Sequence, residues 1–340
     1  MSCYNPLQAY SPGVNHKTGK KLIKFKREKP SDIKLALPCG KCIGCRLEKT
    51  RQWAIRGMCE LVTTKQKGLE SSFVTLTYNE KHYPKPFGDL VKKDVQDFVK
   101  RLRARHPEIS HINDKGQRVS DIRVFYSGEY TPTTQRPHWH LIVYGYDFPD
   151  KKPCQVTDAK NLLYTSDELE YGKDGIEPLW YQGFHRIGEV SFDSIRYVAK
   201  YITKKLSGDQ ENEIMEGDFL RAYERFDPIT GEIGKVSKEF SEAPRRPGLG
   251  SDFLKKYYKE IYPSDTIGVS GKGIQRTVAY FDRLMENIDT NLLEIVLKRR
   301  KEYIRSRPEE LSYERQKTKE DIQKRKLLKL NSLRKGESHA

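Results

Sequence analysis

Arg136-Pro137-His138-Trp139-His140-Leu141-Ile142-Val143-Tyr144 reads as a β-strand, a bulky apolar run that opens on two histidines one residue apart. Alternate side chains of a strand point to the same face, so His138 and His140 project together, spaced to grip one divalent metal. Upstream, Asp121 to Tyr126 predicts a second strand and Gly128 to Pro137 a polar connection, so the two strands form a hairpin. Glu129, nine residues before His138, lies on the other arm and supplies a third ligand. Two imidazoles and a carboxylate with open positions suit Mg²⁺ or Mn²⁺ when a phosphate adds further oxygens.

A second motif lies near residue 200. Tyr197-Val198-Ala199-Lys200-Tyr201 falls in a helix predicted from Ser194 to Leu206. Tyr197, Lys200, Tyr201 and Lys204 share one face, and each tyrosine has a lysine three residues on. A phenol with a pKa of about 10 is a poor nucleophile at neutral pH, and a neighbouring cation favours the phenolate. Histidines for a metal and tyrosines on a basic helix point to phosphodiester chemistry.

The 340 residues carry a formal net charge of +16, which favours a polyanionic partner, with nucleic acid first. Twenty tyrosines and thirteen phenylalanines offer stacking surfaces for unpaired bases. There is no long apolar run to cross a membrane and no signal-peptide core, so an intracellular location without membrane partners is expected. Six cysteines then read as thiols or metal ligands. Cys39, Cys42 and Cys45 crowd three thiols into one short loop, and structural Zn²⁺ needs a fourth ligand. Cys3 is favoured over Cys59, which falls in a helix predicted from Cys45 to Thr63, and Cys154 reads as incidental. Gly40 and Gly44 fit tight turns around the metal.

Elsewhere, residues 71–78 predict a strand, 91–105 a helix with Asp89 in its N-cap region, and Gly183 to Val190 a short strand. Residues 150–180 read as a polar insertion and 207–243 as an irregular, acidic stretch. Arg46, Lys49, Arg51 and Arg56 are candidates for holding phosphates, while Lys100, Arg101, Arg103 and Arg105 read as a solvated helix face. From Lys298 the chain is strongly basic, either a DNA-binding arm or a solvated tail. The expected architecture is α+β, an antiparallel sheet with flanking helices. Its parts are a Cys-rich segment with a helix (1–62), a nuclease core (63–206), an irregular extension (207–275) and a helical basic C-terminal region (276–340).

His138-Trp139-His140 resembles the motif of HUH endonucleases, and Tyr197 to Tyr201 resembles the two-tyrosine motif of their rolling-circle branch. Phe73-Val74-Thr75-Leu76-Thr77-Tyr78 and Ser127-Gly128-Glu129-Tyr130 are similar to that superfamily's first strand and acidic-ligand segments. The cysteine triplet, Arg51-Gln52-Trp53-Ala54 and Arg245-Arg246-Pro247-Gly248 extend the resemblance to replication initiation proteins (Rep) of gokushovirus-type Microviridae, small single-stranded DNA phages. The likeness spans roughly residues 1–255.

The resemblance implies a metal-dependent, site-specific endonuclease and strand transferase with an HUH-type sheet. One tyrosine nicks the origin, keeps the 5′ end as a phosphotyrosine and frees a 3′-OH for rolling-circle replication. The second later rejoins the displaced strand. Implied partners are single-stranded or cruciform origin DNA and the host helicase and polymerase, in the cytoplasm of the bacterial host. Arg46, Arg51, Arg245 and Arg246 are the candidate DNA contacts. Competing readings are a zinc-stabilised DNA-binding protein without catalysis, and another HUH enzyme such as a plasmid Rep or a transposase.

Overall fold

The computed structural model describes residues 3–15, 21–131, 134–157, 160–172, 175–200, 220–221, 223–227 and 229–336. The chain divides into two compact units, Thr50–Val296 and Met1–Lys49 with Leu297–Ala340. As expected, the architecture is α+β around one antiparallel sheet.

The larger unit holds a seven-stranded sheet. Its strands in chain order are β1 (Ser71–Thr77), β2 (Arg123–Tyr130), β3 (Pro137–Tyr144), β4 (Lys152–Val156), β5 (Leu162–Thr165), β6 (His185–Gly188) and β7 (Phe240–Glu242). Across the sheet they run β7-β2-β3-β1-β6-β5-β4, and every neighbouring pair is antiparallel. Helix α1 spans Ile43–Gln66, α2 Lys92–Arg105, α3 Asp167–Glu170 and α4 Phe192–Lys200.

The period of two along β1 to β3 sorts side chains onto two faces. Val74, Leu76, Val124, Trp139, Leu141 and Val143 form one core with Val95, Phe98, Val99 and Leu102 of α2. Each such side chain contributes about 1.5–3 kcal/mol on full burial. On the opposite face lie Phe125, Ile142 and Tyr144, buried like Ile55 of α1 and Ile195 of α4. Trp53 of α1 stacks on Phe125 with ring centroids 5.5 Å apart.

Gly57 of α1 is the tightest point of that second layer. A Cβ there would lie 2.6 Å from both Ile195 Cγ2 and the Tyr144 hydroxyl. The missing side chain lets α1 approach α4, which carries Tyr197, and β3, which carries the histidines.

Several expectations change. Strand β2 continues through Glu129 to Tyr130 rather than ending at Tyr126. Gly128 looks like turn punctuation, but it faces Trp139, where a Cβ would sit 2.8 Å from the indole. The insertion at 150–180 adds β4 and β5 to the sheet, and its Leu169, Leu179 and Trp180 are buried. The irregular stretch ends in edge strand β7, whose three residues are too few to show a period. Asp89 does not cap α2; the N-cap is Val91, without a side-chain bond. The Asp89 carboxylate accepts instead from Ser237 N at 2.7 Å and from the Tyr130 hydroxyl at 3.2 Å. Arg101 and Arg103 are not a solvated face: they donate to the carbonyls of Leu179 at 3.0 Å and Ile122 at 3.1 Å.

In the smaller unit, Leu7–Ser11 and Ile33–Leu37 pair as a hairpin where loops were expected. The C-terminal region is helical as expected, with α5 (Ser251–Ser264), α6 (Ala279–Ile288), α7 (Thr290–Arg305) and α8 (Tyr313–Gly336). Among the described residues no helix is long and apolar enough to cross a membrane.

Gly57→Val is expected to lower the stability of the chain by about 1–3 kcal/mol through overpacking. Urea unfolding checks it; an unchanged midpoint would show that α1 and α4 do not depend on this approach.

Candidate active site and metal centre

The register of the sheet assembles the site. Glu129 on β2 lies opposite His138 on β3, and Ser127 lies opposite His140. On the other side, β1 sets Thr77 opposite His138 and Thr75 opposite His140. Cross-strand partners share a face, so these six side chains project together.

Hydrogen bonds fix both imidazoles. His138 Nδ1 is 2.9 Å from the Arg136 carbonyl, which can only accept, so Nδ1 carries the proton and Nε2 keeps its lone pair. Burial holds the His138 pKa below the usual histidine value and so favours the neutral ring. His140 Nε2 lies 2.5 Å from Glu129 Oε1, and its Nδ1 lies 3.1 Å from the Thr75 hydroxyl. With Glu129 ionised, Nε2–H donates to the carboxylate and Nδ1 accepts from Thr75. Glu129 and His140 are both over nine-tenths buried.

Helix α4 brings the phenol. Phe192, Ile195, Val198 and Ala199 form its buried stripe and leave Tyr197 on the open side, 38% exposed. The Tyr197 hydroxyl donates to Glu129 Oε1 at 2.8 Å, and its ring meets that of His140 edge-on with centroids 4.9 Å apart. Ser241 of β7 donates to the Val198 carbonyl at 3.0 Å, which ties the helix to the sheet edge. Lys200 ends α4 one turn after Tyr197, exposed. Tyr201 and Lys204 lie outside the described residues.

The structure thus brings together Glu129, His138, His140 and Tyr197. Thr75, Ser241 and Gly57 escaped sequence reading. Thr75 had a signal, because Thr75 and Thr77 alternate in step with His140 and His138 once β1 and β3 are paired. Ser241 and Gly57 act through tertiary contacts and had none.

In the smaller unit, Cys3, Cys39, Cys42 and Cys45 place their sulfurs within 4.8 Å of one another. Four sulfurs at Zn–S bonds of about 2.3 Å would lie about 3.8 Å apart in a tetrahedron, so modest closure suffices. Cys42 Sγ is already 3.9 Å from Cys3 Sγ, and the Cys39 amide donates to Cys3 Sγ at 3.2 Å. Burial works against the Cys42 thiolate. The Cys45 and Tyr4 amides and the neighbouring thiols outweigh it, bringing the Cys42 pKa down to about 7. Burial pushes Cys3 and Cys45 up. These four thiols can hold a metal ion. Gly40 takes a left-handed turn at φ 75°, but Gly44 lies inside α1 rather than in a turn. Cys59 is buried and Cys154 exposed, both apart from the cluster. Among the described residues this is the group of three or more such ligands that closes to that spacing; Glu129 and the two histidines do not.

The candidate DNA contacts are dispersed. Arg46 is partly exposed in the first turn of α1. Arg51 donates to the Arg276 carbonyl at 3.0 Å, and Arg245 and Arg246 are exposed before Pro247. Arg56 is not available to phosphate. It is buried between the rings of Trp53 and Tyr280, 4.0 and 3.7 Å from their centroids, and donates to the Leu249 carbonyl.

Comparison with known proteins gives the family. A family model for the replication-associated protein ORF2 matches residues 71–206, from β1 through Tyr197. Replication-associated protein VP4 of Bdellovibrio phage phiMH2K is 32% identical over 264 residues, 77% of this chain and 70% of that protein. The chain belongs to the gokushovirus-type replication-associated proteins. Another similar member is replication-associated protein ORF2 of Spiroplasma virus 4, 28% identical over 305 residues, 84% of this chain and 81% of that one. Replication-associated protein ORF4 of Chlamydia phage 1 is 30% identical over 171 residues, 50% of this chain and 38% of its own. No solved structure matches this family member significantly.

Elemental analysis of the purified chain is expected to return about one metal ion per molecule at the cysteine cluster. Cys39→Ser with Cys42→Ser should remove it and lower the thermal midpoint. Full metal content in that double variant would place the ion elsewhere.

Proposed function

We propose that this replication-associated protein nicks and rejoins phage DNA at its replication origin, with Tyr197 as a nucleophile and Glu129, His138 and His140 as the divalent-metal ligands. The observation that carries this reading is the shared carboxylate. Glu129 Oε1 accepts from the Tyr197 hydroxyl at 2.8 Å and from His140 Nε2 at 2.5 Å.

Two imidazoles and a carboxylate are a donor set for Mg²⁺ or Mn²⁺. A bound ion would withdraw charge from the phosphate and from the leaving oxygen. His138 offers Nε2 directly, whereas His140 must first yield the Nε2 proton it shares with Glu129. The four cysteines suit Zn²⁺ in a structural role.

The chain's own residues carry the chemistry as follows. Glu129 Oε1 takes the proton from the Tyr197 hydroxyl, and the Tyr197 oxygen attacks phosphorus. The bond from phosphorus to the 3′ oxygen breaks, and that oxygen takes up a proton to become a 3′-OH. The 5′ side stays on Tyr197 as a phosphodiester, so the energy of the broken bond is kept for rejoining and no nucleotide triphosphate is consumed. Lys200, one turn on, favours the phenolate electrostatically. Tyr201, with Lys204, is the candidate for the second transfer that closes the displaced strand. Single-stranded or cruciform origin DNA is the substrate of this scheme, with a host helicase and polymerase extending the 3′-OH in the bacterial cytoplasm.

Incubation with single-stranded DNA tiled across the phage genome and Mn²⁺ tests the reading. A denaturant-resistant protein–DNA adduct is expected, with the modified peptide containing Tyr197 or Tyr201. His138→Ala and Glu129→Gln should each slow adduct formation at least about 100-fold, the scale of a lost acid–base or electrostatic group. If no oligonucleotide forms an adduct, the chain is not a tyrosine nuclease.

A further inference from the structure

We infer that Phe184 and Arg186 on β6 form a binding step for single-stranded DNA beside the reacting phosphate, with a base stacked on Phe184 and a phosphate on Arg186. The inference rests on the nicking reading for the identity of its ligand.

The register leads to it. Phe184 exchanges both backbone hydrogen bonds with Thr77, at 2.9 and 3.0 Å, so the two residues face each other across strands. Thr77 in turn lies opposite His138, and His138 opposite Glu129. One row therefore runs Glu129, His138, Thr77, Phe184 across the sheet. The next row runs Ser127, His140, Thr75, Arg186. All eight side chains share the face that carries Tyr197. Phe184 and Arg186 stand two strand spacings, about 10 Å, from the histidines.

That end of the face is open. Helix α4 packs over β2 and β3, above the histidines. Phe184 is 63% exposed and Arg186 is exposed, whereas the alternate residues His185 and Ile187 are buried. Arg186 donates to the His185 carbonyl at 2.7 Å and has no carboxylate partner among the described residues. Its remaining N–H groups point to an anion from outside.

The aromatic ring is also held in place. A Cβ on the preceding Gly183 would lie 2.3 Å from the Thr77 carbonyl and 2.5 Å from the Asn79 amide. The chain presses against β1 there and sets the Phe184 backbone firmly. A lone exposed phenylalanine is ordinary. A fixed one beside an arginine without a carboxylate partner, in line with two histidines, matches the aromatic-plus-cation platform that binds unpaired nucleotides. Duplex DNA would not offer a base face to that ring.

Stacking tolerates any base, so a fluorescein-labelled oligothymidylate suffices as the probe. Its binding to the full chain, without added divalent ion, is measured by fluorescence anisotropy. Phe184→Ala should weaken binding about tenfold, and Phe184→Trp should preserve it. Arg186→Ala should lower the slope of log affinity against log salt by about one ion, and Arg186→Lys should keep it. Equal binding by native chain, Phe184→Ala and Phe184→Trp would overturn the stacking step, and an unchanged slope for Arg186→Ala would overturn the phosphate contact. Adduct formation by the same variants separates the two readings. Native adducts with undiminished binding by Phe184→Ala sink this inference alone. A native chain that forms no adduct, yet loses affinity in Phe184→Ala, sinks the nicking reading and leaves the stacking step standing.

Discussion

The indole of Trp139 holds the register on which the site depends. It is fully buried, donates from Nε1 to the Tyr78 hydroxyl at 3.0 Å, and meets the Phe240 ring edge-on at 5.7 Å. Gly128, directly across from it, leaves the space the indole fills. A slip of one residue would turn every side chain of β3 to the other face. The indole would then enter the site, and two imidazoles would enter an apolar core without partners. The cost of both errors locks His138 and His140 onto the face where Glu129 stands.

That lock makes the rest of the arrangement inexpensive. Glu129 needs no special loop, because the hairpin register alone sets it opposite His138. Thr75 orients His140 from the other flank, and the Arg136 carbonyl orients His138 from the start of its own strand. Only the phenol comes from another element, and α4 is fixed from two sides, by the close approach of Gly57 and by the Ser241 bond. The carboxylate between phenol and imidazole is the meeting point of sheet and helix.

Much of this was legible in the sequence where a single period was involved. The alternation of Phe73 to Thr77 and the apolar stripe of α2 are local signals, and both elements appear within a residue or two of expectation. The cysteine spacing was legible too, including the choice of Cys3 over Cys59. What escaped was non-local. The value of Gly128 as space for an indole is invisible until β2 and β3 are paired. Arg56, Arg101 and Arg103 read as surface charge because a sequence does not show the rings and carbonyls that receive them. Strand β7 owes its existence to an edge that only the assembled sheet provides.

The bond from Ser241 to Val198 also closes a loop. Helix α4 and strand β7 lie some forty positions apart in the chain, yet they are stitched together at the edge of the sheet. The intervening chain is anchored at both ends. Doubling the length of such a loop costs only about 0.6 kcal/mol in closure entropy. Related phages can therefore lengthen, shorten or recompose that stretch at little thermodynamic cost, while the helix that presents the phenol keeps its place. The sheet edge acts as a clasp that uncouples evolutionary drift in one segment from the precision demanded of its neighbour.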